Sequence, residues 1–283
     1  MTNSFEPRVC AINGRTRVVV ILAYPTTHVR TPGFFNAFVA ERNLNAVLVP
    51  WQVAPGQLAS VMESLRHVEN LAGVIVTIPH KQSIAALCDD LEGIAAHLMV
   101  ANVARRTADG RFIGRMYDGT GFVAGLQREG IELAGRSVLL LGAGGAGTAV
   151  ASALLDAGVG TLAISNRNQE RAEQLVQRLK RIHPDGDARA VKDTRGQWDI
   201  VINSTSLGLH EDDPLPIDPD NLPRACTVAE VIMQPDETAL LLAARARGCR
   251  VHKGVHMVTA QIALLARFLL ESDDAAKTEG EPG

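Results

Sequence analysis

Short apolar runs alternate along this chain with segments whose apolar positions recur at helical spacing. Arg17–Ala23, Ala46–Trp51 and Gly73–Ile78 read as buried strands, with helices over Thr31–Arg42 and Ala54–Leu65 between them, a βαβ rhythm. Two shorter runs, Ala101–Thr107 and Arg111–Arg115, flank Asp109-Gly110 and predict a hairpin at a sheet edge. From Asp118 the rhythm resumes. A helix over Gly121–Gly130 leads to a strand at Ser137–Leu141, then a helix over Thr148–Ala157 and a strand at Thr161–Ile164. Asp199–Asn203, Thr227–Val231 and Arg250–Lys253 follow as later strands, and no internal repeat is evident. Strands alternating with helices predict an α/β fold in two domains. One is an N-terminal α/β unit over 1–117, and the other a Rossmann-type doubly wound parallel sheet over 118–254. The polar residues 272–283 predict a flexible tail.

The strand Ser137–Leu141 runs straight into Gly142-Ala143-Gly144-Gly145-Ala146-Gly147 and then a helix. A GxGxxG alone is weak evidence, but between strand and helix it predicts a dinucleotide site. Gly142 permits the tight turn, Gly144 lets backbone approach a pyrophosphate, and Gly147 lets helix press on strand, leaving the helix amides aimed at the phosphates. The next strand selects the dinucleotide. It ends in Ser165-Asn166-Arg167-Asn168-Gln169-Glu170-Arg171, with no carboxylate where NAD binders place one for the ribose 2′-hydroxyl. Arg167 and Arg171 lie four apart, and a helix starting here puts them on one face, able to grip a 2′-phosphate. NADP is expected over NAD, against the simpler reading of two solvated arginines.

Length and composition narrow the class. At 283 residues the chain has enough length for two medium domains. A net charge of -3 and pI near 6.2 supply no basic field for nucleic acid or an anionic membrane. Cys10, Cys88, Cys226 and Cys249 have no CxxC spacing, so neither a zinc site nor a disulfide framework is expected, and a reducing cytoplasm is the default location. The N-terminal residues lack a signal-peptide pattern, and Val258–Leu270, interrupted by Gln261 and Arg267, is too short to span a bilayer. His252 and His256 are separated by the helix-breaking Gly254, so no metal site is expected there. Trp51 and Trp198 read as packing residues. The expected partner is a small-molecule substrate, with the chain a monomer or homodimer.

Several ordered motifs go further than pattern. Gly73-Val-Ile-Val-Thr-Ile-Pro-His-Lys81, Val100-Ala-Asn102, Asp118-Gly-Thr-Gly121, Gly142-Ala-Gly-Gly-Ala146, Asn166-Arg167, Asn203-Ser-Thr-Ser-Leu-Gly208, Pro235-x-x-Thr238 and Gly254-Val-His-Met-Val-Thr-Ala-Gln261 resemble, in order and spacing, the shikimate dehydrogenase family from Tyr24 to about Leu270. The resemblance implies a substrate domain, an NADP domain, an active site in the cleft between them, and a last helix, 255–271, returning to the substrate domain. It implies Lys81 and Asp118 as the catalytic pair and Thr31, Thr77, Asn102 and Gln261 as substrate contacts. On the cofactor side it implies Gly142 to Gly147, Asn166, Arg167, Arg171, Ser204, Thr205, Ser206, Leu207, Ile232, Gly254 and Met257. The chemistry is intelligible from the residues. As hydride leaves a secondary alcohol its hydroxyl sheds a proton, and an ammonium–amine couple is a suitable relay. Read singly, Lys81 fits a solvated first helical turn and Asp118 a helix N-cap. His80 reads as a structural neighbour of the lysine.

Departures from the family pattern gather where substrate would bind. The family's Ser-x-Ser pair is Val29 and Thr31 here, the asparagine of its GxNVTxPHK motif is Ile75, the residues before the aspartate are Met116 and Tyr117, and a tyrosine two before Pro235 is Met233. A lost hydrogen bond to a charged group costs about 1.5–3 kcal/mol, so two or three weaken turnover about a few hundred-fold or more. The expected activity is therefore oxidation or reduction of a different, less hydroxylated cyclic substrate. Arg30 and Arg115 are candidates to replace the lost carboxylate contacts. A true shikimate or quinate dehydrogenase and a non-catalytic NADP-binding sensor remain the alternatives.

Overall fold

The computed structural model describes residues 11–271; Cys10 and the tail expected over 272–283 lie outside them. Among these residues the chain forms two compact units. One ends at Arg115 and resumes at Ile262, and the other runs Met116–Gln261.

The first unit contains β1 (Arg17–Ala23), α1 (Thr31–Glu41), β2 (Ala46–Gln52), α2 (Leu58–Leu65), β3 (Leu71–Val76), β4 (Asp90–Leu91), α3 (Ile94–Leu98), β5 (Val103–Arg106) and β6 (Phe112–Arg115). Its sheet has the order β2-β1-β3-β5-β6-β4. The first three strands are parallel, as the βαβ rhythm requires, and β5 and β6 are the antiparallel hairpin around Asp109-Gly110. The helix expected over Ala54–Leu65 is instead a 3-10 turn, Pro55–Gln57, followed by α2. Pro55 and Gly56 favour a turn at that point, and α-helix is established only at Leu58. The short β4 and α3 were invisible to periodicity because neither spans two turns of pattern.

Alternation along the strands divides the core. Val20, Leu22, Val74 and Val76 face Leu58, Met62, Leu65, Ile84 and Phe112 in one buried cluster. The intervening Ile21 and Ile75 are also buried, so both sheet faces are covered. Gly73, at φ +153, is required because a Cβ there would collide with the Ala104 carbonyl of the neighbouring strand, and it would also press on Leu269 of the final helix.

The second unit begins with α4 (Asp118–Arg128), then β7 (Ser137–Leu141), α5 (Gly145–Asp156), β8 (Thr161–Ser165), α6 (Gln169–Ile182), β9 (Ala188–Ala190), β10 (Ile200–Asn203), β11 (Thr227–Glu230), α7 (Ala239–Ala246), β12 (Arg250–His252) and α8 (Val255–Leu270). The sheet order β12-β11-β10-β7-β8-β9 is parallel throughout, the doubly wound arrangement with a switch point between β7 and β10. α8 is shared, its residues to Gln261 in this unit and those from Ile262 in the first. α4 starts three residues before the expected Gly121, through a glycine-rich stretch that propensity disfavours. Packing overrides propensity there: a Cβ on Gly119 would collide with the Ala149 carbonyl, one on Gly121 would meet Met257 O at 2.7 Å, and one on Gly125 would press on His256.

Candidate active site

The glycine turn is built as its spacing predicts. Gly142 has φ +108, and a Cβ there would meet Ser204 Oγ at 2.8 Å. Gly147 lies so close beneath it that an added Cβ would sit 2.5 Å from Gly142 O. Gly144, the N-cap of α5, has open space where its Cβ would be and no side-chain cap on the helix. The first-turn amides of α5, from Gly145, Ala146 and Gly147, therefore face a region with room for an anion beside the helix's positive end.

Asn166 fixes the next turn: its Oδ1 accepts from Ala143 N at 3.2 Å and its Nδ2 donates to Asn168 O at 2.8 Å. Asn168 then caps α6, its Oδ1 accepting from Arg171 N. The helix thus begins after Arg167, which corrects the expectation that Arg167 and Arg171 share one helical face. Arg167 lies on the turn and Arg171 in the first helical turn. Both are exposed and neither has an ion-pair partner among the described residues. Two unpaired cations at a helix N-terminus are unfavourable by themselves, which fits an anionic group there.

The far side of this site is a wired loop. Ser204 Oγ donates to Leu141 O at 2.8 Å and to Gly142 O at 3.2 Å, tying the loop after β10 to the glycine turn. Thr205 and Leu207 are half-buried, Ser206 exposed, and Ile232, Gly254 and Met257 buried. A Cβ on Gly254 would collide with the Ile232 carbonyl, so these two expected cofactor residues are in close contact.

Asp118 is 2 % exposed and opens α4, while the N-cap position belongs to Tyr117, so the reading of Asp118 as an N-cap is corrected. Gln261 Nε2, 3 % exposed, donates to Asp118 Oδ1 at 3.3 Å. That contact brings two sequence-selected residues together. Lys81, 8 % exposed, lies in a series of turns after Pro79 rather than in an α-helix, and it is not a solvated lysine. Lysine is seldom buried to this level without a partner. His80 is buried with Nε2 2.8 Å from Val53 O, which fits a structural neighbour.

Thr31 is buried at the start of α1, Asn102 is buried before β5, and Thr77 is half-buried just past β3. Asn102 is held by its backbone, its O accepting from Val76 N at 2.7 Å and its N donating to Arg115 O at 3.0 Å. Ile75 is 3 % exposed, whereas Val29 and Met233 are half-buried. Arg115 is engaged by Glu92 at 2.5 Å and stacks on Phe268, which argues against its replacing a substrate contact. Arg30 is exposed at the N-cap of α1. Trp51 is 41 % exposed at the end of β2, and Trp198 is buried, its indole N–H donating to Thr194 O at 2.8 Å. His252 and His256 are stacked, ring centroids 4.6 Å apart, with Phe122 edge-on to His252.

Sequence reasoning passed over Glu230. It is fully buried at the end of β11, opposite Asn203 in the β10–β11 register, and burial pushes its carboxyl up to about 7, although hydrogen bonding from Thr238 pulls the other way. The only available signal was a lone acid closing an apolar strand.

The fold and the glycine turn between strand and helix define an oxidoreductase of Rossmann type. Residues 21–104 match the model of the shikimate dehydrogenase substrate binding domain, and residues 125–209 that of shikimate / quinate 5-dehydrogenase. A shikimate dehydrogenase (NADP(+)) of Rubrobacter xylanophilus is 36% identical over 254 residues, covering 88% of this chain and 89% of its own. The crystal structure of shikimate dehydrogenase from Aquifex aeolicus superposes with a TM-score of 0.83 at 28% identity, covering 92% of this chain and 94% of the other. The ligand-free 5-ketofructose reductase of a Gluconobacter strain gives 0.76 at 28% identity over 91% and 94%. The chain belongs to the shikimate dehydrogenase family. Among the described residues no helix is long and apolar enough to cross a membrane.

Proposed function

We propose that the chain is an NADP-dependent oxidoreductase interconverting a secondary alcohol and a ketone on a small cyclic substrate that carries fewer polar groups than shikimate. The observation that carries this reading is that Lys81 is buried in the first unit and Asp118, buried and hydrogen-bonded by Gln261, in the second, while positions 29, 75 and 233 carry the apolar Val29, Ile75 and Met233. The N-terminal unit supplies the substrate contacts Thr31, Thr77 and Asn102, and the second unit holds the cofactor. The amides of Gly145 to Gly147 take the pyrophosphate, Arg167 and Arg171 the 2′-phosphate, and Ser204 to Leu207, Ile232, Gly254 and Met257 enclose the nicotinamide end. Bound NADP(H) supplies or accepts the hydride.

The chain's own residues handle the proton. The Lys81 amine takes the hydroxyl proton during oxidation and its ammonium returns one to the ketone oxygen during reduction. Asp118 is the second member of the relay, and Gln261 anchors it. Apolar side chains at 29, 75 and 233 leave a polyol carboxylate without partners, and the relationship to 5-ketofructose reductase supports use of this scaffold on a substrate other than shikimate.

A second reading is favoured by the curated relatives, which are named shikimate dehydrogenases: shikimate itself is the substrate. Purified full-length protein with NADP(H), followed at 340 nm against shikimate, quinate and a panel of ring alcohols and ketones, decides between them. Turnover of a ring alcohol with poor use of shikimate is expected. Shikimate oxidation at about 10⁴ M⁻¹s⁻¹ or more establishes the second reading. NADPH binding with no turnover of any substrate establishes a sensor.

A further inference from the structure

Asn203 and Glu230 stand side by side at the ends of β10 and β11, and each is fully buried. Asn203 organises the loop that follows it. Its Oδ1 accepts from Thr205 N at 3.0 Å and from Thr205 Oγ1 at 2.7 Å, its Nδ2 donates to Leu207 O at 3.0 Å, and Thr205 Oγ1 accepts from Leu207 N at 3.1 Å. The loop's conformation is therefore set by the orientation of a single amide.

Glu230 lies next to Asn203 in the strand register and is tied to α7. Its Oε2 accepts from Thr238 Oγ1 at 2.9 Å, and Thr238 caps α7 by accepting from Leu241 N at 3.3 Å. Among the described residues Oε1 has no hydrogen-bond partner. Thr238 also braces the end of the loop, since a Cβ on Gly208 would meet Thr238 Cγ2 at 3.2 Å and Ile232 Cδ1 at 3.3 Å. A carboxyl buried with one oxygen unpaired is costly, and an apolar side chain of the same size would pack there without that cost. Its presence is explained by what it holds.

We infer that Glu230 is a positioning residue for the cofactor-facing loop Ser204–Leu207, acting through Asn203 and Thr238 without touching the cofactor. The inference rests on the reading of that loop as part of the NADP site. Loss of the carboxyl removes the tie to Thr238 and so uncouples the Asn203-built loop from α7, so that cofactor affinity suffers more than the chemical step.

The test uses the full-length chain and two substitutions, Glu230→Met, which removes both acceptor oxygens, and Glu230→Gln, which keeps the volume and one acceptor. Hydrogen exchange is measured first without cofactor. Peptides covering 203–209 should exchange about tenfold faster in E230M, with the rest of the second unit unchanged, and less so in E230Q. NADPH titrated by its fluorescence should bind about fivefold or more weakly to E230M. KM for NADPH should rise while kcat at saturating cofactor stays within about threefold. Unchanged exchange at 203–209 in both variants overturns the inference. So does acceleration spread evenly through the unit, which marks a merely structural residue, or loop-local acceleration with unchanged NADPH affinity. Wild-type protein that binds no NADPH removes the cofactor reading itself, an outcome the direct titration separates from failure of the inference alone.

Discussion

At the scale of single residues, burial separates groups that sequence alone leaves ambiguous. A lysine after Pro79-His80 and an aspartate before a glycine are ordinary surface features, yet Lys81 and Asp118 are 8 % and 2 % exposed. Lys81→Ala is expected to lower turnover by about two to four orders of magnitude, because a proton acceptor is lost from the reacting hydroxyl. NADPH affinity should stay near wild type, and steady-state rates within about threefold of wild type would remove Lys81 from the mechanism. Arg167 carries the cofactor expectation. With no strand-end acid and no ion-pair partner among the described residues, it should favour NADPH over NADH by about tenfold or more, or about 1.4 kcal/mol. Calorimetric titration of Arg167→Glu should show that preference lost; unchanged NADPH binding would count against the assignment.

Elements follow the periodic pattern closely where periodicity is strong and depart from it where close packing intervenes. Ser137–Leu141 and Arg17–Ala23 are strands over the expected residues, since each is an apolar run buried on both sheet faces. The start of α4 is the contrary case. Gly119 lies against α5, and Gly121 and Gly125 on another face against α8, and in each case backbone of the neighbouring helix occupies the space a Cβ would need. Gly119→Ala should therefore destabilise the protein by about 2–4 kcal/mol, despite alanine's better helix propensity, because the clash is with a carbonyl that cannot rotate away. Denaturant unfolding checks this, and a stabilised variant would show that the α4–α5 contact yields. Three-residue β9 and two-residue β4 were illegible for a different reason: they are fixed by neighbours in their sheets, not by their own residues.

For the molecule as a whole, the pH dependence of stability rests on two buried groups of opposite sign. Glu230 is raised from 4.5 to about 7 and His252 is lowered from 6.5 to about 4, each chiefly by burial. The folded chain holds the Glu230 proton where the unfolded chain has released it, so this group's contribution falls as pH rises through the interval between 4.5 and about 7. His252 works in the opposite sense, its contribution being lost as pH falls from 6.5 through about 4. Comparing E230Q with wild type isolates the first. The stability difference should shift toward the variant between pH 5 and 8 by about 2.5 kcal/mol, read from urea unfolding at each pH, and a pH-independent difference would show that the carboxyl keeps an ordinary affinity for its proton.

The substrate prediction joins residues from separate parts of the chain. Val29→Ser, Ile75→Asn and Met233→Tyr together should raise shikimate kcat/KM, since the relay and cofactor residues are proposed to be in place. Single changes should do little, because a lone polar group in an apolar surrounding is desolvated without a partner. No gain in the triple variant would mean that shikimate is excluded by shape and not by lost polar contacts.

The sequence by itself determined the βαβ rhythm, the glycine turn, the absence of a ribose-binding acid and the family, because these rest on local geometry and on motifs read residue by residue. It singled out Lys81, Asp118, Asn102 and Gln261 as candidates by the same means. Only the tertiary structure decided that Arg167 precedes its helix, that Arg115 is engaged by Glu92, and that Asn168 is the cap. It alone revealed Glu230, whose importance comes from lying opposite Asn203 and beneath Thr238. Strand register and burial are properties of the folded chain, and a lone acid at the end of an apolar run carries no mark of either until its neighbours have been brought beside it.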